Sequence, residues 1–371
     1  MEKVVNKTFQ NERILLDGTS WNTCIFRDCE IVISTGVIEV HSCEFIGCHL
    51  NLEGNAANIG QMINLFSAQN NPATTNKFAL LVGNGFTLDF VTQYGLDSSF
   101  PLKNFYSMDI NYSDFIDYLP TIKDELLGQD LNDFGCISKY ASKYEVGSFE
   151  ESQLRRFLAM SYSLFQLKVN QYDMSDWKWV KWLRQNKNEL ACAISFNYDV
   201  LLENALNSAE LSYSRVGTNE SSGKVLVLKP HGSIDFDVTQ IAIEPPTSRW
   251  GVTTTLNNVP NVEVIQKSDW NLPRVEADII PPSMENYQRH LQWVDSMYRC
   301  YETISNQLNA LVIVGSSYWE VDRKEIDFFL EKLPITAKVY IMNPTPSEPL
   351  IEKIESLGLS WINFNFDELP W

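Results

Sequence analysis

Basic residues are scarce in this chain: 29 lysines and arginines face 47 aspartates and glutamates across 371 residues, a net charge of −18. A surface dedicated to nucleic acid needs clustered Lys and Arg, so direct nucleic-acid binding is excluded, while a local pocket for a small anion is not. Long apolar runs are missing as well. No stretch reaches the length of a membrane span, and the opening Met1-Glu2-Lys3-Val4-Val5-Asn6 lacks the pattern of a signal peptide. The expectation is a soluble, cytoplasmic protein with no membrane contact. Cysteine occurs seven times, an odd number, which speaks against a secreted disulfide framework. Histidine occurs only four times, so each one can be weighed individually. What is present is an ordinary globular composition, 44% hydrophobic and 20% charged, long enough for two or three domains.

Four of the cysteines, Cys24, Cys29, Cys43 and Cys48, fall in two pairs with a five-residue step. A zinc knuckle needs a tighter gap, and the same step is shared by Phe26 with Ile31 and by Phe45 with Leu50. The rhythm is therefore one of packing, and no metal is expected. Such a period suits a short solenoid that stacks small and large inward residues in columns. Residues 1–66 resemble a brief pentapeptide-repeat or β-helical segment, interrupted around Ser34 to Val40, with an ordinary small β domain as the alternative. Either is suited to docking rather than catalysis.

The polar stretch 67–76 reads as a linker, and beyond it the pattern changes. Phe78 to Val82 is a continuous apolar run, as in a strand buried on both faces. Similar runs return at Leu190 to Ser195, Val225 to Leu228, Leu311 to Val314 and Ala337 to Met342, with helical spacing at Glu285 to Asn309 and Asp322 to Leu333. Strands alternating with helices imply an α/β fold with a Rossmann-like parallel sheet over 77–371. Residues 104–188 read as a helical insertion, its Leu154, Phe157, Leu158, Tyr162 and Phe165 spaced for one helix face. Ile234 to Val275 reads as irregular.

Polar or glycine-rich sequences come directly after five of these strands. Gly83-Asn84-Gly85 lies between a strand and a helix, where backbone amides and the helix dipole favour phosphate; a plain tight turn is the alternative. Position 88 is Leu, so the full dinucleotide fingerprint is absent and hydride-transfer chemistry is disfavoured. Asn197-Tyr198-Asp199 offers an amide and a carboxylate, or a helix cap. Pro230-His231-Gly232-Ser233 delivers an imidazole that titrates near neutrality, or a hydrogen-bonded structural histidine. Gly315-Ser316-Ser317 and Asn343-Pro344 complete the set. In an open parallel sheet these strand ends converge on one crevice, where ligands bind.

In this order the five segments resemble the sirtuin, or SIR2-like, family, over residue 77 to the end. Trp319-Glu320-Val321-Asp322 resembles the bacterial SIR2-like branch found in antiphage systems. The resemblance implies NAD⁺ as substrate, with Gly83, Asn84 and Gly85 at the pyrophosphate and Gly315, Ser316, Ser317 and Asn343 toward the adenosine half. It implies Asn197 and His231 as the catalytic pair, and Asp199 at the carboxamide. Departures also count. The family's paired Cys-x-x-Cys zinc module is missing, with Cys300 alone between Asp199 and Gly315, and Ser195-Phe196 stands where Thr-Gln is usual. These favour water as the acceptor over acyl-lysine. The implied function is an NAD⁺ hydrolase that depletes NAD⁺ in antiphage defence. The resemblance further implies a homo-oligomer through this domain and a companion protein (an ATPase, an Argonaute-like protein or a sensor). A non-hydrolysing NAD⁺ or ADP-ribose sensor, an interaction module and a deacylase are the alternatives.

Overall fold

The computed structural model describes residues 2–34, 39–41, 43–52, 77–96, 116–117, 119–126, 134–220, 223–237, 259–270, 277–283, 286, 290–365 and 368–371. The chain divides into two compact units, Met1–Thr75 and Asn76–Trp371. The expected linker at 67–76 lies outside the described residues, as does part of the expected insertion.

Nine short strands build the first unit: β1 (Glu2–Val5), β2 (Thr8–Gln10), β3 (Arg13–Leu15), β4 (Thr19–Asn22), β5 (Ile25–Arg27), β6 (Glu30–Ile33), β7 (Glu39–His41), β8 (Glu44–Ile46) and β9 (His49–Leu52). They form three parallel sheets, β1-β4-β7, β2-β5-β8 and β3-β6-β9, so each coil has three faces. This is a short β-helix. Strand partners lie one coil apart, Glu2 beside Thr19 in the first step and Ser20 beside Glu39 in the second. The second step is two residues longer, and the extra residues fall between β6 and β7, where the sequence rhythm breaks. The five-residue step therefore carries the chain from one face to the next, while columns form between coils. Phe9, Phe26 and Phe45 make one such column, with ring centroids 5.2 and 4.7 Å apart. Asn6, Asn11, Thr23 and Asp28 turn the corners with φ of 51 to 55°, a conformation that Asn and Asp tolerate better than most residues. Cys24 lies over Cys43, whose Sγ accepts the Cys24 N–H at 3.2 Å.

The second unit is built on a seven-stranded sheet, all parallel: β10 (Lys77–Val82), β11 (Leu190–Ser195), β12 (Tyr213–Arg215), β13 (Val225–Leu228), β16 (Leu308–Val314), β17 (Lys338–Met342) and β18 (Ser360–Phe364). A small antiparallel ribbon of β14 (Phe236–Asp237) and β15 (Glu263–Val264) stands apart, inside the segment expected to be irregular. Strand order across the sheet is β12-β13-β11-β10-β16-β17-β18. The chain thus leaves β10 toward one edge and returns to its other side at β16, which makes the β10/β16 boundary the topological switch point.

Alternate residues of the central strands feed two cores. Ala79, Leu81, Ile194, Leu226, Leu311 and Ile341 pack on one face against α7 (Gln292–Ser305), α8 (Arg323–Glu331) and α9 (Glu348–Ser356). Phe78, Leu80, Val82, Ala193, Val227 and Val312 pack on the other against α1 (Asn84–Gln93), α5 (Lys178–Gln185) and α6 (Leu201–Ser208). Burial on both faces is why these strands are continuously apolar. The expected strands are present. The edge strands β12 and β18 were not anticipated, because their one-sided polarity removes that signal.

The insertion supplies α2 (Pro120–Glu125), α3 (Phe134–Ala141) and the long α4 (Phe149–Val169). Leu154, Phe157 and Leu158 of α4 are fully buried with Ile122 and Ile137. Trp177, Val180 and Trp182 are core residues of the sheet's α1 face. The helix expected over Glu285 to Asn309 is shorter: α7 starts at Gln292, and β16 begins at Leu308. Among the described residues no helix is long and apolar enough to cross a membrane.

Candidate functional site

The five polar segments succeed β10, β11, β13, β16 and β17, which are adjacent in the sheet, so their strand ends form one continuous edge. At the switch point the turn after β10 lies directly on the turn after β16. The Gly83 N–H donates to Val314 O at 2.9 Å and the Gly85 N–H to Gly315 O at 2.8 Å. A Cβ on Gly83 would stand 2.8 Å from Gly315 O and 2.9 Å from the Ser316 Cα, and Gly315 itself has φ of +59°. Only glycine permits this approach. Asn343 joins from β17, its Nδ2 donating to Ser316 O at 2.8 Å. α1 begins here with no side-chain cap and no acidic residue in its first turn, leaving its positive end unneutralised.

Asn197 ties the next strand end into the same knot. Its Nδ2 donates to Gly83 O and to Thr87 Oγ1, both at 3.0 Å. Thr87 in turn donates to Asp199 Oδ2 at 2.8 Å, and Asp199 Oδ1 accepts the Leu201 N–H at 3.1 Å. Asp199 is therefore partly what the cap reading described, a carboxylate on the first turn of α6, and it also fixes the hydroxyl that fixes Asn197. Burial pushes the Asp199 carboxyl above its usual range, while nearby Lys229, the Thr87 hydroxyl and the Leu201 N–H pull it back.

Behind this edge lies a buried ion network. Lys229, fully buried, reaches Glu203 Oε1 at 3.1 Å and donates to the Asp199 carbonyl. Arg215 bridges Asp235 and Glu220, each at 2.6 Å. A buried lysine is tolerated only when so paired. Its ammonium thus links the Asp199 backbone to Glu203 on α6.

His231 lies at the turn just beyond β13. Gly232 (φ +78°) lets the chain turn beneath it, and the imidazole is buried against the Phe196 ring, centroids 4.8 Å apart. Its Nε2 meets Glu325 Oε2 of α8 at 2.5 Å, and Asp322 Oδ1 lies 3.9 Å away. Burial lowers the ring's proton affinity, but Glu325, Asp322 and the Phe196 backbone outweigh it and set the pKa at about 9. The sequence leaves two readings open, a base near neutrality and a hydrogen-bonded structural histidine. The ring is paired with a carboxylate that favours its protonated form, because a helix ninety-odd residues away covers the strand end.

Asn84 and Ser317 are exposed and stand outside the hydrogen-bonded cluster. Sequence reasoning missed Thr87, Glu325, Tyr298, Lys229 and the acids around it. Two had local signals. Thr87 lies four residues after Gly83, on the first turn of α1, and Asp322, at the N-cap of α8, forms an i, i+3 acidic pair with Glu325. Among the described residues, His231, Asp322 and Glu325 are the group with metal-ligand chemistry, their ligand atoms within 4.8 Å of one another. Two of those atoms are too close to share an ion without moving apart, since zinc–ligand bonds of about 2 Å in a tetrahedron separate ligand atoms by roughly 3.3 Å.

Fold and site together define an open parallel α/β protein with polar side chains gathered at the carboxyl edge of its sheet, around the switch point. No family model and no curated protein matches the sequence. Among solved structures, the chain is similar to one from a study of the mechanism and regulation of Sir2 enzymes: 12% identity, TM-score 0.30, covering 82% of this chain and 98% of that one. It is also similar to a mutant Sir2 homologue in complex with ADP-ribose, with 13% identity, TM-score 0.28 and coverage of 77% and 90%.

Proposed function

We propose that the second unit is a SIR2-like NAD⁺ hydrolase that releases nicotinamide and ADP-ribose. The observation that carries this reading is the Asn197 side chain, tethered to both Gly83 O and Thr87 at the switch point, so that only its Oδ1 remains to receive a ligand. Gly83, Asn84, Gly85, Gly315, Ser316, Ser317 and Asn343 are assigned to the dinucleotide, at the uncapped start of α1 and the turn facing it. Asp199 is assigned to positioning and to the carboxamide. The C1′–N bond breaks with its electron pair leaving on neutral nicotinamide, and water attacks the oxocarbenium carbon. The Asn197 Oδ1 orients that water, which must give up one proton. His231 is assigned to this proton once its ring is neutral.

No metal is needed for these steps. The companion protein, the oligomer and a role in antiphage defence belong to the same proposal, with the β-helix as the docking unit. Incubation with NAD⁺ tests it: nicotinamide appears, and Asn197→Ala or His231→Ala lowers the rate at least a hundredfold. Unchanged rates in both variants sink the site assignment.

A second reading, an NAD⁺ or ADP-ribose sensor, draws on one observation. His231 is held by Glu325 and by the Phe196 backbone, an arrangement with no lone pair left for proton abstraction. Tight NAD⁺ binding without nicotinamide release would favour it.

A further inference from the structure

We propose that Glu325 is the positioning residue of His231, holding the ring by Nε2 from the first turn of α8 and so governing when the base is free to act. The geometry is specific. Glu325 is 2% exposed and His231 4%, and they meet at 2.5 Å across the gap between the end of β13 and the first turn of α8. The second carboxylate oxygen is occupied too: Tyr298 of α7 donates to Glu325 Oε1 at 2.9 Å. Glu325 is therefore held from α7 while it holds the imidazole.

The charged and titratable groups around the ring are few. From the α8 side they are Glu325 and Asp322, the latter raised by burial to about 6 and pulled back by His231. From α7 there is the Tyr298 hydroxyl. From the end of β11 there is the Phe196 ring with its backbone, neither of them charged. Tyr298 also lines a recess shared with Pro230, Leu291, Asp295 and Glu325, at whose rim the exposed His290 faces Asp295 at 3.7 Å. Glu325 thus divides its two oxygens between the imidazole, at 2.5 Å, and the Tyr298 hydroxyl, at 2.9 Å.

An imidazolium that donates from both nitrogens has no lone pair. Proton abstraction by His231 must wait until the proton leaves, which happens near pH 9. Neutralising the partner while keeping its shape removes the electrostatic part of the hold. An opposite charge at this range moves a pKa by about 1–3 units. Glu325 thus restrains the site at neutral pH, and a ligand that displaces α8 or its carboxylate would release it. The consequence for turnover rests on the NAD⁺-cleavage reading above; the charge of the ring does not.

The test reads the imidazole directly. With four histidines in the chain, ¹H–¹³C spectra of the full-length protein labelled at histidine Cε1 give four resonances, and His231→Asn identifies the one of interest. In the wild type this resonance is expected to titrate near 9, and in Glu325→Gln about two units lower. A wild-type midpoint near 6.5, or an unchanged midpoint in folded Glu325→Gln, overturns the proposal. Should Glu325→Gln not fold, Glu325→Asp moves the charge away and its midpoint falls between those of free histidine and the wild type; a midpoint equal to the wild type's overturns the proposal. The pH–rate profile of nicotinamide release, measured in parallel, moves its rising limb by the same amount. No rate in either protein, with the midpoint shift intact, refutes the cleavage reading and leaves the role of Glu325 standing.

Discussion

Thr87→Val is the most direct probe of the knot at the switch point. The substitution keeps the volume and branching of the side chain and removes one hydroxyl. That hydroxyl is buried, donates to Asp199 at 2.8 Å and accepts from Asn197 at 3.0 Å. A hydrogen bond to a carboxylate contributes about 1.5–3 kcal/mol and a neutral one about 1, so the loss of both costs about 3 kcal/mol. The Asn197 amide keeps only Gly83 O, and its Oδ1 swings out of register with any ligand. Asp199, already raised by burial, loses one of the groups that lower it and moves further up. Urea unfolding gives the stability, and NAD⁺ titration with nicotinamide release gives the function. The variant is expected to fall by about 3 kcal/mol and to lose turnover more than NAD⁺ binding, while Thr87→Ser restores most of both. A Thr87→Val protein within about 0.5 kcal/mol of wild type would show that the chain Asp199–Thr87–Asn197 is not a structural unit.

Gly315→Ala places a Cβ within 2.5 Å of the Gly85 carbonyl carbon at φ of +59°. It is expected to lower stability by about 2 kcal/mol or more and to abolish NAD⁺ binding, both readable by calorimetry. His231 has a folded pKa of about 9 against 6.5 unfolded, so its stabilisation is complete below pH 6.5 and is lost as pH rises through 9. The loss is at most about 3 kcal/mol, measured by urea unfolding at stepped pH; Asp322, with a pKa of about 6, lies below this window. A flat stability curve from neutral pH to above 9 would remove the imidazolium from the account. In the β-helix, Phe26 is fully buried between Phe9 and Phe45. Phe26→Ala is expected to cost the first unit about 3–5 kcal/mol, seen as earlier urea unfolding of that unit.

Local sequence pattern was enough to mark the central strands and the polar turns at their ends. Five continuous apolar runs announce strands covered on both faces, and Gly83, Asn197, His231, Gly315 and Asn343 each stand just beyond one, because strand identity is a local matter of alternation and length. The solenoid rhythm of the first unit was legible for the same reason. Three faces per coil, with a longer second step, could not be read from a five-residue spacing that is equally compatible with other solenoids. The edge strands stayed hidden for want of two-sided burial. The chemistry of the site came instead from the packing of distant segments. Thr87 and Asp199 are 112 residues apart, and His231 and Glu325 are 94 apart. No local pattern says which helix will lie across a strand end. A histidine's neighbours set its charge, so the same Pro-His-Gly sequence can present a neutral base or a sealed imidazolium. In this fold the packing of α8 against the end of β13 favours the second.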